Sequence, residues 1–319
     1  MEQLNPPLII KSFAKLNLYL RVLNKRKDNF HNLSSLFCRI DLADTIILKK
    51  LKDDLIQIKC DNRHLPIDAT NLCWRAANLL KQEFGLNYGV EIRIRKRIPI
   101  GAGLGGGSSD AASVLLGLNK YWNLNLSRTK LAGLGAKLGS DVAFFIYDTK
   151  FAQASSRGDK IKPVVSLEEL KLWFIVVYPN IKVSTPLIYQ KFDTSNMLSI
   201  NPEQASSFKP RRVERVGHFS QLTRPRCNVK ILTSELLKNG KGIDASCFFN
   251  NLEVITNSLY PVVNQVKNAL SNIGLEKIMM SGSGSAVFAL CNSGKQAKDL
   301  SSKLARKYKA WQIFATSTV

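Results

Sequence analysis

Residues 99–110 read Pro-Ile-Gly-Ala-Gly-Leu-Gly-Gly-Gly-Ser-Ser-Asp. Five of the seven residues 101–107 are glycine, a composition ill suited to a packed core. Glycine tolerates positive φ and lets a ligand approach the backbone amides closely. From Ser108 a helical pattern opens, carrying Ala111, Leu115, Leu118 and Trp122. A helix start offers unpaired N–H groups and the positive end of its dipole, which suits a phosphate. The hydroxyls of Ser108 and Ser109 can add donors or help hold a magnesium ion.

Three readings of this loop compete. Residues 101–106 satisfy G-x-G-x-x-G, the dinucleotide fingerprint, which alone is weak. That reading also requires an acid about 20 residues further on, and none occurs between Asp110 and Asp141. A Walker A loop needs a lysine after its last glycine, where this chain has Ser108. The third reading, a glycine turn with no ligand, fits poorly with five glycines leading into Ser-Ser-Asp.

Two further residues can do chemistry. Asp141 follows Gly139-Ser140, a pair suited to a tight turn that aims a carboxylate into a cleft. It is a candidate base, and equally a helix N-cap or surface aspartate. Lys15 sits within the apolar alternation IKSFAKLNLYLRVL. On a buried face it needs a partner; alternation alone also allows a solvated face.

These groups must be carried by regular elements. Period-2 alternation predicts long strands over 9–24 and 33–50 and another over 89–97, ended by Pro99. Helices are expected at 70–84, with Thr70 as N-cap, and at 127–137, just before Gly139-Ser140-Asp141. A strand is expected near 150–155. Strand 172–178 begins a second unit, with a short helix after Pro186 and an irregular stretch over 193–227. Helices at 228–238, 248–258, 262–273 and 295–307 and strands at 276–281, 286–291 and 310–316 complete it. Strands and helices mix without a strict βαβ rhythm, so the class is α+β with two domains. The expected division is 1–160, carrying the glycine loop, and 161–319.

The 319 residues are 45% hydrophobic and 22% charged, which fits a globular chain with a sizeable core. No apolar run approaches the ~20 residues that span a bilayer, and no secretory signal is evident at the start, so a cytoplasmic protein is expected. Six scattered cysteines without CxxC pairs point to reduced thiols. The net charge of +22 admits nucleic-acid binding or attraction of anionic substrates. Its densest excess, from Lys209 to Lys230, has seven Lys/Arg against Glu214. No nucleic-acid motif accompanies it, so a solvated basic surface is the simpler reading. Nothing marks an obligate protein partner.

The run PIGAGLGGGSSDAA resembles the phosphate loop of the small-molecule kinase superfamily that includes galactokinase, homoserine kinase and mevalonate kinase, the GHMP kinases. Three consecutive glycines before Ser-Ser-Asp-Ala-Ala most resemble the branch whose acceptor is 4-diphosphocytidyl-2-C-methyl-D-erythritol, in the non-mevalonate route to isoprenoids. Phe13-Ala14-Lys15-Leu16-Asn17-Leu18 resembles that branch's A-K-[IL]-N segment, and Asp28-Asn29-Phe30-His31-Asn32-Leu33 its D-G-[YF]-H-x-[IL] segment. Leu138-Gly139-Ser140-Asp141-Val142-Ala143-Phe144-Phe145 resembles L-G-[AS]-D-V-P-F-F, and Ser281-Gly282-Ser283-Gly284-Ser285 a second glycine motif. Asn29 and Ala143 depart from the pattern, and the basic stretch 203–227 has no counterpart.

The resemblance implies an N-terminal ribosomal-protein-S5-like domain, a C-terminal ferredoxin-like α/β domain and an active site in the cleft between them. It implies ATP and Mg2+ as cofactors and an acceptor bearing a cytidine diphosphate group. Lys15 and Asp141 would be catalytic, the lysine keeping the aspartate ionised. ATP would meet Pro99, Gly101, Gly103, Leu104, Gly105, Gly106, Gly107, Ser108 and Ser109. Asn71 would lie near the adenine, although it could equally cap its helix. Phe30 and Tyr189 would sandwich the cytosine, His31 would meet its polar edge, and Asn17 and Thr185 would contact the rest of the acceptor. Metal ligands stay open. Another GHMP kinase, acting on mevalonate, homoserine or a sugar, is the nearest alternative; those acceptors have no base to stack. A basic nucleic-acid-binding protein is the alternative from a different class.

Overall fold

The alternation of the first fifty residues forms a long antiparallel pair, β1 (Leu8–Lys25) and β2 (His31–Leu51). The computed structural model describes residues 6–200, 227–238 and 243–319. The middle of β1 is buried on both faces, since Lys15 and Asn17 are as enclosed as Leu16 and Leu18. A register shift between Asn17 and Tyr19 offsets the alternation. Such an irregularity re-aims side chains, and here Lys15, Asn17 and Leu20 all open to one cavity.

β3 (Ile56–Cys60) and β4 (Gly89–Arg95) extend this sheet beyond β2. β5 (Phe151–Ser155) pairs with β2, and β6 (Lys160–Pro163) pairs with β5. Four helices accompany it: α1 (Leu72–Phe84), α2 (Gly106–Tyr121), α3 (Arg128–Leu138) and the short α4 (Val142–Tyr147). α2 lies against β1, β2, α1 and α4, with Ala111, Val114, Leu115 and Leu118 fully buried. That position carries the glycine loop, at the helix start, to the centre of the molecule.

The second sheet is antiparallel throughout. β7 (Trp173–Tyr178) lies between β11 (Gln312–Ser317) and β10 (Val287–Cys291), with β9 (Ile278–Met280) beyond. α5 (Thr185–Ile200), α6 (Val229–Leu237), α7 (Glu253–Leu259), α8 (Val262–Ser271) and α9 (Gly294–Lys307) complete this half. β7 is an unbroken apolar run because both its faces are covered. Phe174 and Val176 join the cluster of Ala14, Leu16 and Leu18 from β1, and Ile175 and Val177 face the other core. A two-residue strand, β8 (Phe249–Asn250), reaches back to pair in parallel with β1.

Several expectations are corrected. α1 is capped by Asn71, which accepts from the Cys73 amide, and not by Thr70, which is turned to Asp68. The stretch taken as irregular from 193 continues α5 to Ile200. The helix expected at 248–258 is a 3-10 turn, Ala245–Cys247, then β8 and the short α7. β3 and β6 were not anticipated; each has five residues or fewer. The first sheet runs through Pro163. Cys227 and Cys247 form a disulfide with Cα atoms 5.0 Å apart, where reduced thiols were expected. Apart from Cys227, the basic stretch 203–227 lies outside the described residues.

Candidate active site

The glycine loop enters on the buried Ile98 and ends in the first turn of α2. Ser109 N–H donates to Gly105 O, which leaves the amides of Gly106, Gly107 and Ser108 as the orphan donors of the turn. No side chain caps this end. The loop's shape is fixed from outside. Lys15 N–H donates to Leu104 O, Val183 N–H to Gly101 O and Ala286 N–H to Ala102 O, and the Ser281 hydroxyl donates to Gly103 O at 3.0 Å. Gly103 has φ +77°, and a Cβ there would lie 2.1 Å from Ser281 O. Only glycine fits at that crossing of the two glycine motifs.

Beside the loop, the Lys15 ammonium lies 3.4 Å from the Asp141 carboxylate and 2.5 Å from Asn17 Oδ1. It sits 5.0 Å from the centroid of the Phe37 ring. Asn17 in turn donates to Ser35 Oγ at 2.9 Å, so its amide orientation is set. Asp141 occupies the N-cap position of α4 but makes no capping bond there. Its carboxylate is 30% exposed while Lys15 is 4% exposed. A buried cation thus faces an accessible carboxylate, and the capping role left open by sequence is not the one it plays.

Loop and pair line a single cavity of about 900 Å3 between the two halves. Pro99, Gly101, Gly103, Leu104, Gly105, Gly106, Gly107 and Ser108 border it, with Lys15, Asn17 and Asp141. Its far part is bordered by Phe30, His31, Thr185 and Tyr189, with Lys25, Arg157 and Asp193. Phe30 is 49% exposed, with the Arg157 guanidinium 5.0 Å from its ring centroid. The His31 and Tyr189 rings are 5.2 Å apart. Burial, and after it the Asp141 carboxylate, push the Tyr189 hydroxyl well above its usual pKa, so it stays a neutral donor. Thr185 Oγ1 and Ser283 Oγ share a hydrogen bond of 2.7 Å at the start of α5.

Two expected contacts do not border the cavity. Asn71 accepts from the Cys73 amide of α1 at 2.8 Å through Oδ1, and its Nδ2 donates to Pro66 O in the preceding stretch at 2.6 Å. Ser109 is buried and accepts from Ser12 Oγ at 2.8 Å. Sequence reasoning missed the group beneath the loop. Lys96 borders the cavity, and its ammonium lies between the buried carboxylates of Asp44 and Asp110, 3.1 Å from the latter. Asp44 also accepts from the amides of Arg97 at 2.5 Å and Ile98 at 2.8 Å. One ammonium cannot satisfy two buried carboxylates equally. Asp110 has an oxygen without a partner, and burial pushes its carboxyl up to about 7 against the pull of Lys96. The signal was present in Lys96-Arg97 just before the loop, but strand alternation places that lysine on neither face with certainty. Asp193 was missed as well; it follows Tyr189 by one helical turn and bonds His31.

A helix-start glycine loop, a buried lysine and an accessible aspartate in one interdomain cleft define a small-molecule phosphotransferase site. Residues 71–149 match the family model described as GHMP kinases N terminal domain, and residues 231–310 that described as GHMP kinases C terminal. A homoserine kinase from Cytophaga hutchinsonii superposes with TM-score 0.69 at 19% identity, over 100% of this chain and 96% of that one, a likeness of fold. Among curated relatives, a Geobacillus sp. (strain WCH70) protein named 4-diphosphocytidyl-2-C-methyl-D-erythritol kinase is 38% identical over 283 residues, 89% of this chain and 88% of the relative. A Bacillus cereus (strain B4264) protein of the same name is 39% identical over 285 residues, with the same coverage. A crystal structure of 4-(cytidine 5'-diphospho)-2C-methyl-D-erythritol kinase is 30% identical with TM-score 0.73, over 98% of this chain and 100% of that one. The chain belongs to the 4-diphosphocytidyl-2-C-methyl-D-erythritol kinase family of the GHMP kinases.

Proposed function

We propose that the protein transfers the γ-phosphoryl group of ATP to the 2-hydroxyl of 4-diphosphocytidyl-2-C-methyl-D-erythritol, a step of non-mevalonate isoprenoid precursor synthesis. The observation that carries this reading is the position of the Lys15–Asp141 pair, between the glycine loop and the aromatic end of one cavity. The donor's phosphates rest on the amides of Gly106, Gly107 and Ser108. The acceptor's base lies toward Phe30, His31 and Tyr189. The first half of the chain carries the donor site, and both halves supply the acceptor site, since Thr185 and Tyr189 come from α5.

In this mechanism Asp141 takes the proton of the 2-hydroxyl as its oxygen attacks the γ-phosphorus and the bond to the ADP oxygen breaks. Lys15, 3.4 Å from that carboxylate, orients it and neutralises charge on the moving phosphoryl group. Asn17 holds the lysine. Orientation of the attacking hydroxyl and late proton transfer dominate. Among the described residues no cluster of three or more His, Cys, Asp or Glu is arranged to hold a metal. This fits Mg2+, which arrives on nucleotide phosphates and needs only one or two protein oxygens. The Ser108 hydroxyl, at the cavity wall, is the protein oxygen suited to it. When bound, the ion supplies neutralisation of phosphate charge.

The test is ADP release over a panel of acceptors, with and without Mg2+. Turnover is expected with the diphosphocytidyl acceptor and not with mevalonate, homoserine or galactose. Equal turnover with the sugar alcohol phosphate lacking cytidine would reduce the assignment to an unspecified GHMP kinase.

A further inference from the structure

His31 opens β2 and is 6% exposed. Its Nε2 lies 2.5 Å from Oδ1 of Asp193, on α5. The other oxygen of Asp193 accepts from Lys25 at 2.8 Å. Burial opposes the charge on Asp193, yet the bonds from Lys25 and His31 hold its carboxyl below the usual range. An ionised carboxylate only accepts, so Nε2 must carry the hydrogen of this bond. In a neutral imidazole the other nitrogen, Nδ1, is then a bare acceptor. Nδ1 makes no hydrogen bond with any described residue, and His31 borders the cavity beside Phe30. The ring is also held by packing, with Tyr189 5.2 Å from its centroid and Phe192 6.4 Å away at its edge. A ring flip that exchanged the two nitrogens would break the Asp193 bond within this packing.

We propose that Asp193 is a positioning residue that sets base selectivity. By fixing the Nε2–H tautomer of His31, it leaves Nδ1 as an acceptor for the exocyclic amine of a cytosine. The same nitrogen is mismatched to the carbonyl that uracil carries at that position. This inference rests on the reading of the cavity as the site of a cytidine diphosphate acceptor.

The experiment measures kcat and KM for the cytidine acceptor and its uridine counterpart in the wild type, Asp193→Ala and Asp193→Asn. It is joined to 15N NMR of the imidazoles, with the His31 signals identified by their loss in His31→Gln. The wild type should prefer cytidine and show Nε2 protonated and Nδ1 not. Asp193→Ala should lower that preference roughly 3- to 10-fold, the worth of one neutral hydrogen bond. The loss should fall mainly in KM for the acceptor, with KM for ATP unchanged and mixed tautomers at His31. Asp193→Asn should restore most of the preference, because its Oδ1 can still accept from Nε2–H. A wild-type His31 protonated at Nδ1, alone or with Nε2, overturns the proposal, as does full selectivity in folded Asp193→Ala. If the wild type uses both acceptors equally, the inference fails while the kinase reading stands. If it uses neither, the proposed function itself fails.

Discussion

Gly106 and Gly107 are neighbours in the first turn of α2, and substituting each with alanine should separate stability from nucleotide binding. A Cβ on Gly106 would lie 2.9 Å from Ile98 Cγ2 and 3.0 Å from Lys96 Nζ. Ile98 is core, and Lys96 is held between two buried carboxylates, so neither yields freely. Overpacking of this kind costs about 1–3 kcal/mol. A Cβ on Gly107 would meet only Leu72 Cδ1, at 3.6 Å, on the cavity side. Glycine in a helix is worse than alanine by roughly 0.5–1 kcal/mol. For domains of this size 1 kcal/mol moves Tm by about 2–4 °C. Gly106→Ala should therefore lower Tm by about 2–12 °C, and Gly107→Ala should raise it by about 1–4 °C. Binding should move differently. A methyl on Gly107 stands where a phosphate must approach the orphan amides, and losing one charge-assisted bond costs about 1.5–3 kcal/mol. Calorimetry should show ATP affinity reduced about 10- to 150-fold in Gly107→Ala, since about 1.4 kcal/mol is tenfold. A stable Gly107→Ala protein that binds ATP as the wild type does would mean that the first-turn amides do not cradle phosphate.

Asp141→Asn should lower kcat by about 10²–10⁴-fold with ATP affinity little changed, read by steady-state kinetics; near-normal turnover would remove Asp141 from the chemistry. Phe30→Ala or Tyr189→Ala should raise KM for the cytidine acceptor by roughly 5- to 150-fold, for about 1–3 kcal/mol per stacking contact, and leave KM for ATP in place. Asp110 gives a pH effect. Its folded pKa, about 7, lies above its unfolded value, so its contribution to stability is present at low pH and lost as pH rises through about 7. Asp110→Asn is neutral throughout, so its Tm relative to the wild type should climb between about pH 4 and 7; parallel Tm curves over that range would exclude the effect.

Much of the fold was legible because its strongest elements obey simple periods. β1, β2 and β4 carry a period-2 pattern in sequence, although burial covers both faces in the middle of β1, and α2 announces itself through the glycine run and the apolar positions that follow. Elements set by tertiary contact were not legible. β3 is a short edge strand, and β8 is two residues whose pairing with β1 depends on the far half of the chain. The Lys15–Asp141 pair followed from resemblance; alternation alone left Lys15 on either face. What buries it is the cover on both sides of β1, which no local pattern reports. Asn71 shows the converse: its position at a helix start allowed a ligand contact or a cap, and the cap took the side chain. Lys96 escaped because its meaning lies in two carboxylates, Asp44 and Asp110, 52 and 14 residues away in sequence.

The interlocking of the two glycine motifs bears on how the loop binds at all. A run with five glycines in seven residues has high conformational entropy when free, and ordering it on binding would weaken affinity. Here the carbonyls of Gly101, Ala102, Gly103 and Leu104 each accept a hydrogen bond, from three segments in all: β1, the stretch before α5, and residues 281–286 at the second glycine motif. Asp44 holds the two amides that lead in, and Asp110 anchors the helix that leads out through Lys96. The loop is therefore ordered by the fold before any nucleotide arrives. Its glycines serve close approach and positive φ, and their flexibility is removed by contacts with both halves of the chain. Because those contacts come from both halves, opening one half against the other would release the loop from the bonds that order it.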